Sequence, residues 1–407
     1  MFDAIVVGAR CAGSPTAMLL ARKGYRVLLV DKARFPSDTL STHYIHQPGI
    51  ARLKRWGLLD RIVDSNCPPV RNLTVDLGPF ALNGSAPPLD GVDAGYAPRR
   101  MILDEILVNS AISSGAEFRE HFGLQELLMD GDTVTGIRGR TEAGNVVDEK
   151  ARIVIGADGL RSAVARGVAA TTYNVRPTLS CAYYTYFSDV PYDGGELYPR
   201  PGQMIITVPT NDNLLMTAVF WPNSEFHQVR SDIEGSFMRA LDLAPDLAER
   251  IRGGRRVERF RGTADLRNQF RRSHGPGWAL AGDAGYHKDP ITAQGISDSF
   301  LSADLLADAI DDGLSGRVEL QTALATYEAT RNQMVMPMYE LTCEYATLQP
   351  PASEQQALMM ALTTDSDGRS GFFGAITGTV PIPEFFSPEN IDKIMQRSGA
   401  LPSPAAS

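Results

Sequence analysis

The feature that most constrains the fold of this chain of 407 residues lies at its start. An apolar run, Phe2 to Val7, stops abruptly at Gly8. The hexapeptide Gly8-Ala9-Arg10-Cys11-Ala12-Gly13 follows, and then Ser14 to Lys23, with Ala17, Leu20 and Ala21 at helical spacing. Gly24 fits the helix stop, and a second apolar run, Arg26 to Val30, ends in Asp31. Short apolar runs without alternation fit strands buried on both faces of a parallel sheet. The pattern predicts a βαβ unit with an acid at the tip of its second strand. A dinucleotide site needs glycine for the tight turn, for backbone approach to the pyrophosphate and for close helix–strand packing. Gly8 and Gly13 meet the first and third needs, while Arg10 stands where the middle glycine is usual. Asp31, eighteen residues beyond Gly13, suits a ribose hydroxyl pair. Gly8, Ala9, Gly13, Asp31 and Lys32 are the nucleotide candidates, against the alternative of a βαβ unit with no nucleotide.

Two further segments repeat the strand–turn–helix order. In the first, Ile153 to Ile155 leads into Gly156-Ala157-Asp158-Gly159, with Ser162 at a helix start. In the second, Trp278 to Ala281 leads into Gly282-Asp283-Ala284, and a helix opens at Gly295 with Ser299, Ala303 and Leu306 as one small face. Asp283 then sits at a strand's carboxyl end, where open α/β sheets bind ligands. The helix N-terminus at Gly295 can face a negative charge.

The three motifs, in this order, resemble those of the p-hydroxybenzoate hydroxylase-type flavoprotein monooxygenases. Geranylgeranyl-reductase-like proteins and flavin halogenases share that FAD scaffold. The resemblance implies that the first motif holds the ADP part of FAD. The second would support the pyrophosphate and the reducing nicotinamide nucleotide, and the third the ribityl chain. Carried over residue by residue, it adds Thr42, Arg100, Leu124, Asp158, Gly159, Asp283, Gly295 and Ile296 to the cofactor-binding candidates. Gly285-Tyr286 stands where Ala-His is usual, and Ala293-Gln294 where more glycine is frequent. The implied activity is NAD(P)H-dependent hydroxylation of an aromatic or polyketide-like substrate by molecular oxygen, through a flavin C4a-hydroperoxide. The alternatives are reduction of isoprenoid-like double bonds, then halogenation, then a non-catalytic flavin-binding redox sensor. Halogenation ranks low because no WxWxIP segment occurs.

Between the motifs the texture becomes β-rich, as in Cys181 to Val190, Gly202 to Thr210 and Asn213 to Pro222. The expected fold class is α/β: a Rossmann-like FAD-binding domain with an inserted antiparallel β-sheet substrate domain and a C-terminal helical region. The FAD domain takes residues 1–70, 97–174 and 270–345, and the substrate domain 71–96 and 175–269. A helical or loop cap takes 346–407, with LPSPAAS at its end expected to be disordered. Alternation puts Tyr184 and Tyr186 on one face. With Trp221 they are expected to line a pocket for a small hydrophobic or aromatic substrate, against core packing. Arg200, in LYPRPG, is the one candidate for an anionic substrate group, against a solvent-facing loop arginine. His43 and Lys288 are the catalytic candidates. His43 would bond flavin or relay a proton, or simply pack. Lys288 would face a reduced flavin, or form a surface pair with Asp289.

Composition removes other classes. Lys plus Arg number 39 against 48 Asp plus Glu, a net charge of −9, which argues against nucleic-acid partners. No apolar run reaches the ~20 residues of a membrane span, and MFDAIVVGAR has no basic n-region of a signal peptide. Cys11, Cys67, Cys181 and Cys343 are scattered without a CxxC, so neither a metal cluster nor a disulfide framework is expected. Reduced thiols and a cytoplasmic location follow as the expectation. No second nucleotide-binding βαβ unit is legible, so NAD(P)H is expected to bind transiently.

Overall fold

The computed structural model describes residues 1–399; LPSPAAS lies outside the described residues. The strands used below are β1 (Phe2–Val7), β2 (Val27–Val30), β3 (Leu73–Asp76), β4 (Ala81–Gly84), β5 (Glu117–Arg119), β6 (Val146–Gly156), β7 (Ser180–Ser188), β8 (Gly195–Arg200), β9 (Gln203–Thr210), β10 (Leu214–Pro222) and β11 (Trp278–Leu280). The helices are α1 (Gly13–Arg22), α2 (Gln47–Arg55), α3 (Arg100–Ser113), α4 (Ala163–Gly167), α5 (Ile233–Leu241), α6 (Pro245–Gly253), α7 (Gly295–Leu314), α8 (Leu320–Tyr345), α9 (Ser353–Ala361), α10 (Ser366–Thr377), α11 (Ile382–Phe385) and α12 (Pro388–Arg397). The chain has a mixed α/β fold with two large sheets and a helical C-terminal region.

In the first sheet the order β11-β6-β1-β2-β5 is parallel throughout. Ile5, Val6, Leu28, Leu29, Val154 and Ile155 are fully enclosed, as expected for strands covered on both faces. Parallel direction brings the carboxyl ends of β1, β2, β6 and β11 to one edge. The three glycine turns and Asp31 therefore meet there. Gly8 adopts φ +105°, which favours glycine. A Cβ on Gly13 would lie 1.7 Å from the Gly8 carbonyl oxygen and 3.1 Å from Ala157 Cβ. Arg10 needs no left-handed backbone. Its guanidinium turns aside to Asp104 on α3 and to the carbonyl and hydroxyl of Ser37. An arginine is tolerated at the middle-glycine position for that reason. Ser162 caps α4 by accepting the Ala165 N–H at 2.9 Å, and Ser299, Ala303 and Leu306 are buried on α7.

The second sheet has the order β7-β10-β9-β8-β3-β4. The sequence suggests three strands in a simple meander. In the structure β7 pairs with β10, from Ser180↔Pro222 to Phe187↔Leu215, and an additional strand, β8, sits beyond β9. Glycine and proline in GELYPR hide β8 from a propensity reading. β3 joins β8 in parallel, and β4 pairs with β3. Side chains alternate across this sheet. Ala182, Tyr184, Tyr186, Ile206, Val208, Met216, Ala218 and Phe220 share a core with the C-terminal residues Phe372, Phe373 and Phe385. Cys181, Tyr183, Ile205, Val219 and Trp221 face α5 and α6 instead.

The Gly13 approach yields a stability prediction. Gly13→Ala should cost about 1–3 kcal/mol, because backbone rather than a mobile side chain must move. Gly253→Ala, with open space around the new methyl, should be neutral or stabilising. Urea unfolding of both variants checks this. Equal midpoints would contradict the packing role of Gly13.

Candidate active site

A cleft of about 950 Å³ runs along the carboxyl edge of the first sheet. It brings together Gly8, Asp31, Lys32, Thr42, His43, Arg100, Leu124, Asp158, Gly159, Tyr184, Asp283, Lys288, Gly295 and Ile296. Ala9 and Gly13 support the turn from behind. Asp31 is held at its strand tip by two backbone donors: Ala9 N–H to Oδ2 at 2.7 Å, and Ala33 N–H to Oδ1 at 2.8 Å. Asp158 Oδ2 accepts the Ala163 N–H at 2.6 Å. Its Oδ1 is buried with no partner among the described residues, and burial raises its pKa. Gly159 and Gly295 leave open space where a Cβ would stand.

Beneath this edge, Arg10 and Arg100 share the fully buried carboxylate of Asp104, with both Arg100 contacts at 3.1 Å. Burial disfavours the Arg100 cation, but Asp104 outweighs it and holds the guanidinium charged. Two cations on one anion leave surplus positive charge below the cleft, which suits a phosphate-bearing ligand. The neighbouring Cys11 thiol is pushed up to about 12, chiefly by burial, so it stays protonated.

The two catalytic candidates, His43 and Lys288, both line the cleft and both carry buried partners. His43 is buried, and its Nδ1 lies 3.0 Å from the Ala97 carbonyl and Nε2 2.9 Å from the Tyr186 hydroxyl. A carbonyl only accepts, so Nδ1 carries the proton and Nε2 accepts from Tyr186. Burial, with Arg99 nearby, pushes the His43 pKa down to about 3. Both nitrogens are hydrogen-bonded, and through them His43 fastens its loop to the second sheet. Lys288 forms no surface pair with Asp289. It is 6% exposed and bonds Asp298 and the Tyr286 hydroxyl. Asp289 is itself buried, accepting from Ser180 at 2.6 Å and from Ile291 N–H at 3.0 Å. Burial pushes the Asp289 pKa up to about 6.

A second cavity, of about 830 Å³, lies between the inner face of the second sheet and the C-terminal helices. Val75, Leu197, Ile206, Val208 and Met216 form its floor, and Leu341, Leu358 and Phe372 its roof. It meets the first cleft at Thr42, Tyr44, Pro290 and Ala293, which line both. The three aromatic residues expected on one lining are dispersed. Tyr184 lines the first cleft, its hydroxyl accepting the Ser41 N–H at 3.2 Å. Tyr186 lies behind His43 under the Arg99 guanidinium, 4.1 Å from the ring centroid. Trp221 packs on the opposite face beneath α5 and α6, because its position has the other parity in β10. Arg200 ends β8 and is half-buried against Asp76 Oδ1 at 2.8 Å and the Leu243 carbonyl at 2.7 Å. It does line the second cavity, but its charge is already paired with Asp76.

The true lining could be found from alternation in Ile206/Val208 and from the stripe Pro337, Leu341, Tyr345 on α8. No sequence signal says that those two surfaces face each other.

A family model described as an FAD binding domain matches residues 1–342, and the chain belongs to that family. The digeranylgeranylglycerophospholipid reductase of Methanosarcina acetivorans is 27% identical over 346 residues, covering 81% of this chain and 80% of its own. Among solved structures, the myxobacterial chondrochloren halogenase superimposes with TM-score 0.79 at 22% identity, covering 98% of this chain and 96% of its own. A probable FAD-dependent monooxygenase from Pseudomonas aeruginosa gives TM-score 0.71 at 22% identity, with 93% and 99% covered. The chain is an FAD-dependent oxidoreductase. The cleft fits that cofactor: it has a glycine cradle, surplus positive charge beneath, an acid at the ribose end and an unpartnered buried Asp158 oxygen.

The buried histidines fix the acid side of the stability profile. Burial pushes His46 down to about 4 and His43 to about 3, from an ordinary 6.5. Depressed values mean that their contribution is full above pH 6.5 and is lost as pH falls. Asp289, raised to about 6, acts oppositely, contributing fully below its unfolded value near 3.8 and less as pH rises through 6. Two histidines outweigh one carboxyl between pH 7 and 5. Unfolding free energy should fall by about 1–3 kcal/mol over that interval. Urea denaturation at the two pH values measures it, and equal or higher stability at pH 5 contradicts the assignment.

Proposed function

We propose that this chain is a monooxygenase that hydroxylates a large apolar aromatic or polyketide-like substrate, with NAD(P)H as transient reductant. The observation that carries the reading is the junction at Thr42, Tyr44, Pro290 and Ala293 between the cofactor cleft and a large apolar cavity. When bound, FAD would supply the redox chemistry: two electrons from NAD(P)H, together with one proton, would reduce molecular oxygen so that one atom enters the substrate and the other leaves as water.

In this reading Asp31 holds the adenosine ribose. The Arg10–Asp104–Arg100 cluster balances the pyrophosphate charge, and Gly295 and Ile296 present backbone to the flavin ring. Asp283, at the end of the third glycine turn, faces the ribityl chain. The apolar walls exclude water and orient the substrate's reacting edge toward the junction. Buried Lys288, already bonded to Asp298, adds no uncompensated charge there. Protons are scarce at the junction. His46 is held at about 4, with its Nε2–H donated to the Thr292 carbonyl at 3.0 Å. Burial alone raises the Tyr44 hydroxyl. Hydroxylation and double-bond reduction each consume one proton with the two electrons, and neither of these two side chains supplies it.

The second reading, reduction of an isoprenoid-like double bond, is favoured by the reductase relative at 27% identity. One experiment separates the two. The FAD-loaded protein is supplied with NAD(P)H, oxygen-18 gas and a panel of polycyclic phenols and isoprenoid alkenes. A product heavier by one labelled oxygen supports hydroxylation. A product gaining two hydrogens without label supports reduction and defeats the first reading. In the same preparation, Asp31→Ala should weaken FAD binding by about 1–3 kcal/mol, through loss of a charged acceptor. Unchanged affinity on titration of the apoprotein would remove Asp31 from the ribose site.

A further inference from the structure

The apolar cavity opens to solvent beside the C-terminal part of α8. Pro337, Glu340, Leu341, Glu344, Tyr345 and Leu348 all line it. Their three- and four-residue steps place them on one helical stripe. Two carboxylates thus stand four residues apart on a face that is otherwise apolar. Like charges at that spacing repel, so stability alone gives no reason for the arrangement. Both side chains are exposed, at the mouth rather than in the depth. Glu354, from the first turn of α9, also lines the cavity and is exposed. None of the three forms an ion pair among the described residues. Glu344 accepts only from the Gln355 amide, at 2.6 Å, and Glu354 from the Ser353 hydroxyl, at 3.1 Å.

Arg200 is the one Lys or Arg among the described residues that line this cavity. Its charge is paired with the Asp76 carboxylate, and four of its five N–H donors go to that carboxylate and to the carbonyls of Asp76, Pro199 and Leu243. A ligand with a phosphate or carboxylate at its outer end would meet unpaired carboxylates, and the one cation on the lining is already neutralised by Asp76. Desolvating such an anion without a partner is costly.

We infer that Glu340 and Glu344 set the charge preference of the cavity: it takes a long apolar ligand whose outer end is cationic or uncharged, and it rejects anionic-headed amphiphiles. This rests on the reading of the cavity as the substrate site and adds the substrate's charge class to it. The reductase relative, by its name, acts on a phospholipid. The acidic mouth points this chain to a different class.

The test titrates the FAD-loaded protein with decyltrimethylammonium, decanol and decyl phosphate, each below its micelle-forming concentration. Displacement of an apolar fluorescent dye reads the binding. At low ionic strength the phosphate should bind about tenfold more weakly than the ammonium, with decanol between them, and the gap should shrink several-fold in 0.5 M salt. In the double variant Glu340→Gln/Glu344→Gln the three should converge to within about twofold. Both positions are exposed, so unaltered flavin content verifies the fold. Phosphate binding as tight as ammonium in the parent protein would overturn the inference. So would an unchanged order in the double variant, since the preference would then arise from the chain's overall acidity. Failure of all three ligands to displace the dye would instead overturn the substrate-cavity reading on which the inference rests.

Discussion

The structure depends on a close approach of backbones at Gly8. The Gly8 carbonyl, the Cα of Gly13 and the backbone of Ala157 meet with no room for a side chain. This contact holds α1 against the ends of β1 and β6, and so fixes where the glycine turns and Asp31 stand relative to one another. It also explains why the middle glycine can be lost. Only Gly8 in that turn requires a left-handed backbone, and Arg10 sends its charge away to Asp104. The same departure from the usual motif then contributes to the positive field under the cleft, where phosphate groups are favoured.

A second constraint joins the two sheets. The segment from Asp38 to His46 crosses between them and carries residues of both cavities. Arg99 bonds Glu258 at 2.5 Å and reaches Asp38 at 3.6 Å, while Arg261 meets Asp38 at 3.1 Å. His43 closes the set through Tyr186 and the Ala97 carbonyl. Such half-buried charges cost desolvation unless paired, and here they are paired into one network. Its return is geometric: the wall between the two cavities is pinned to the sheet whose inner face floors the second of them.

The sequence makes the first sheet legible because each of its strands is a short apolar run ended by glycine or aspartate. Asp31, Asp158 and Asp283 fall at strand ends that parallel pairing must bring to one edge, and the structure brings them there. The second sheet is less legible. Its strands are buried on both faces, so alternation does not reveal which side faces the cleft; the sequence groups Trp221 with Tyr184 and Tyr186, whereas it packs on the opposite face. β8 is hidden by its glycine and proline. His43 and Lys288 looked chemically free because partners distant in sequence, Tyr186 and Asp298 among them, cannot be read from local pattern. The second cavity is the least legible feature, because its roof and floor come from segments more than a hundred residues apart.

In the proposed reading the apolar cavity opens onto FAD, so that a ligand in it touches the cofactor. The direct measurement is the visible absorption of the FAD-loaded protein during titration with a polycyclic phenol. A saturable 1:1 difference spectrum is predicted, and it should vanish in Met216→Trp, which fills the cavity floor away from the cofactor cleft, while FAD content stays unchanged. A flavin spectrum that does not respond to the ligand, or a response that survives Met216→Trp, would contradict the account.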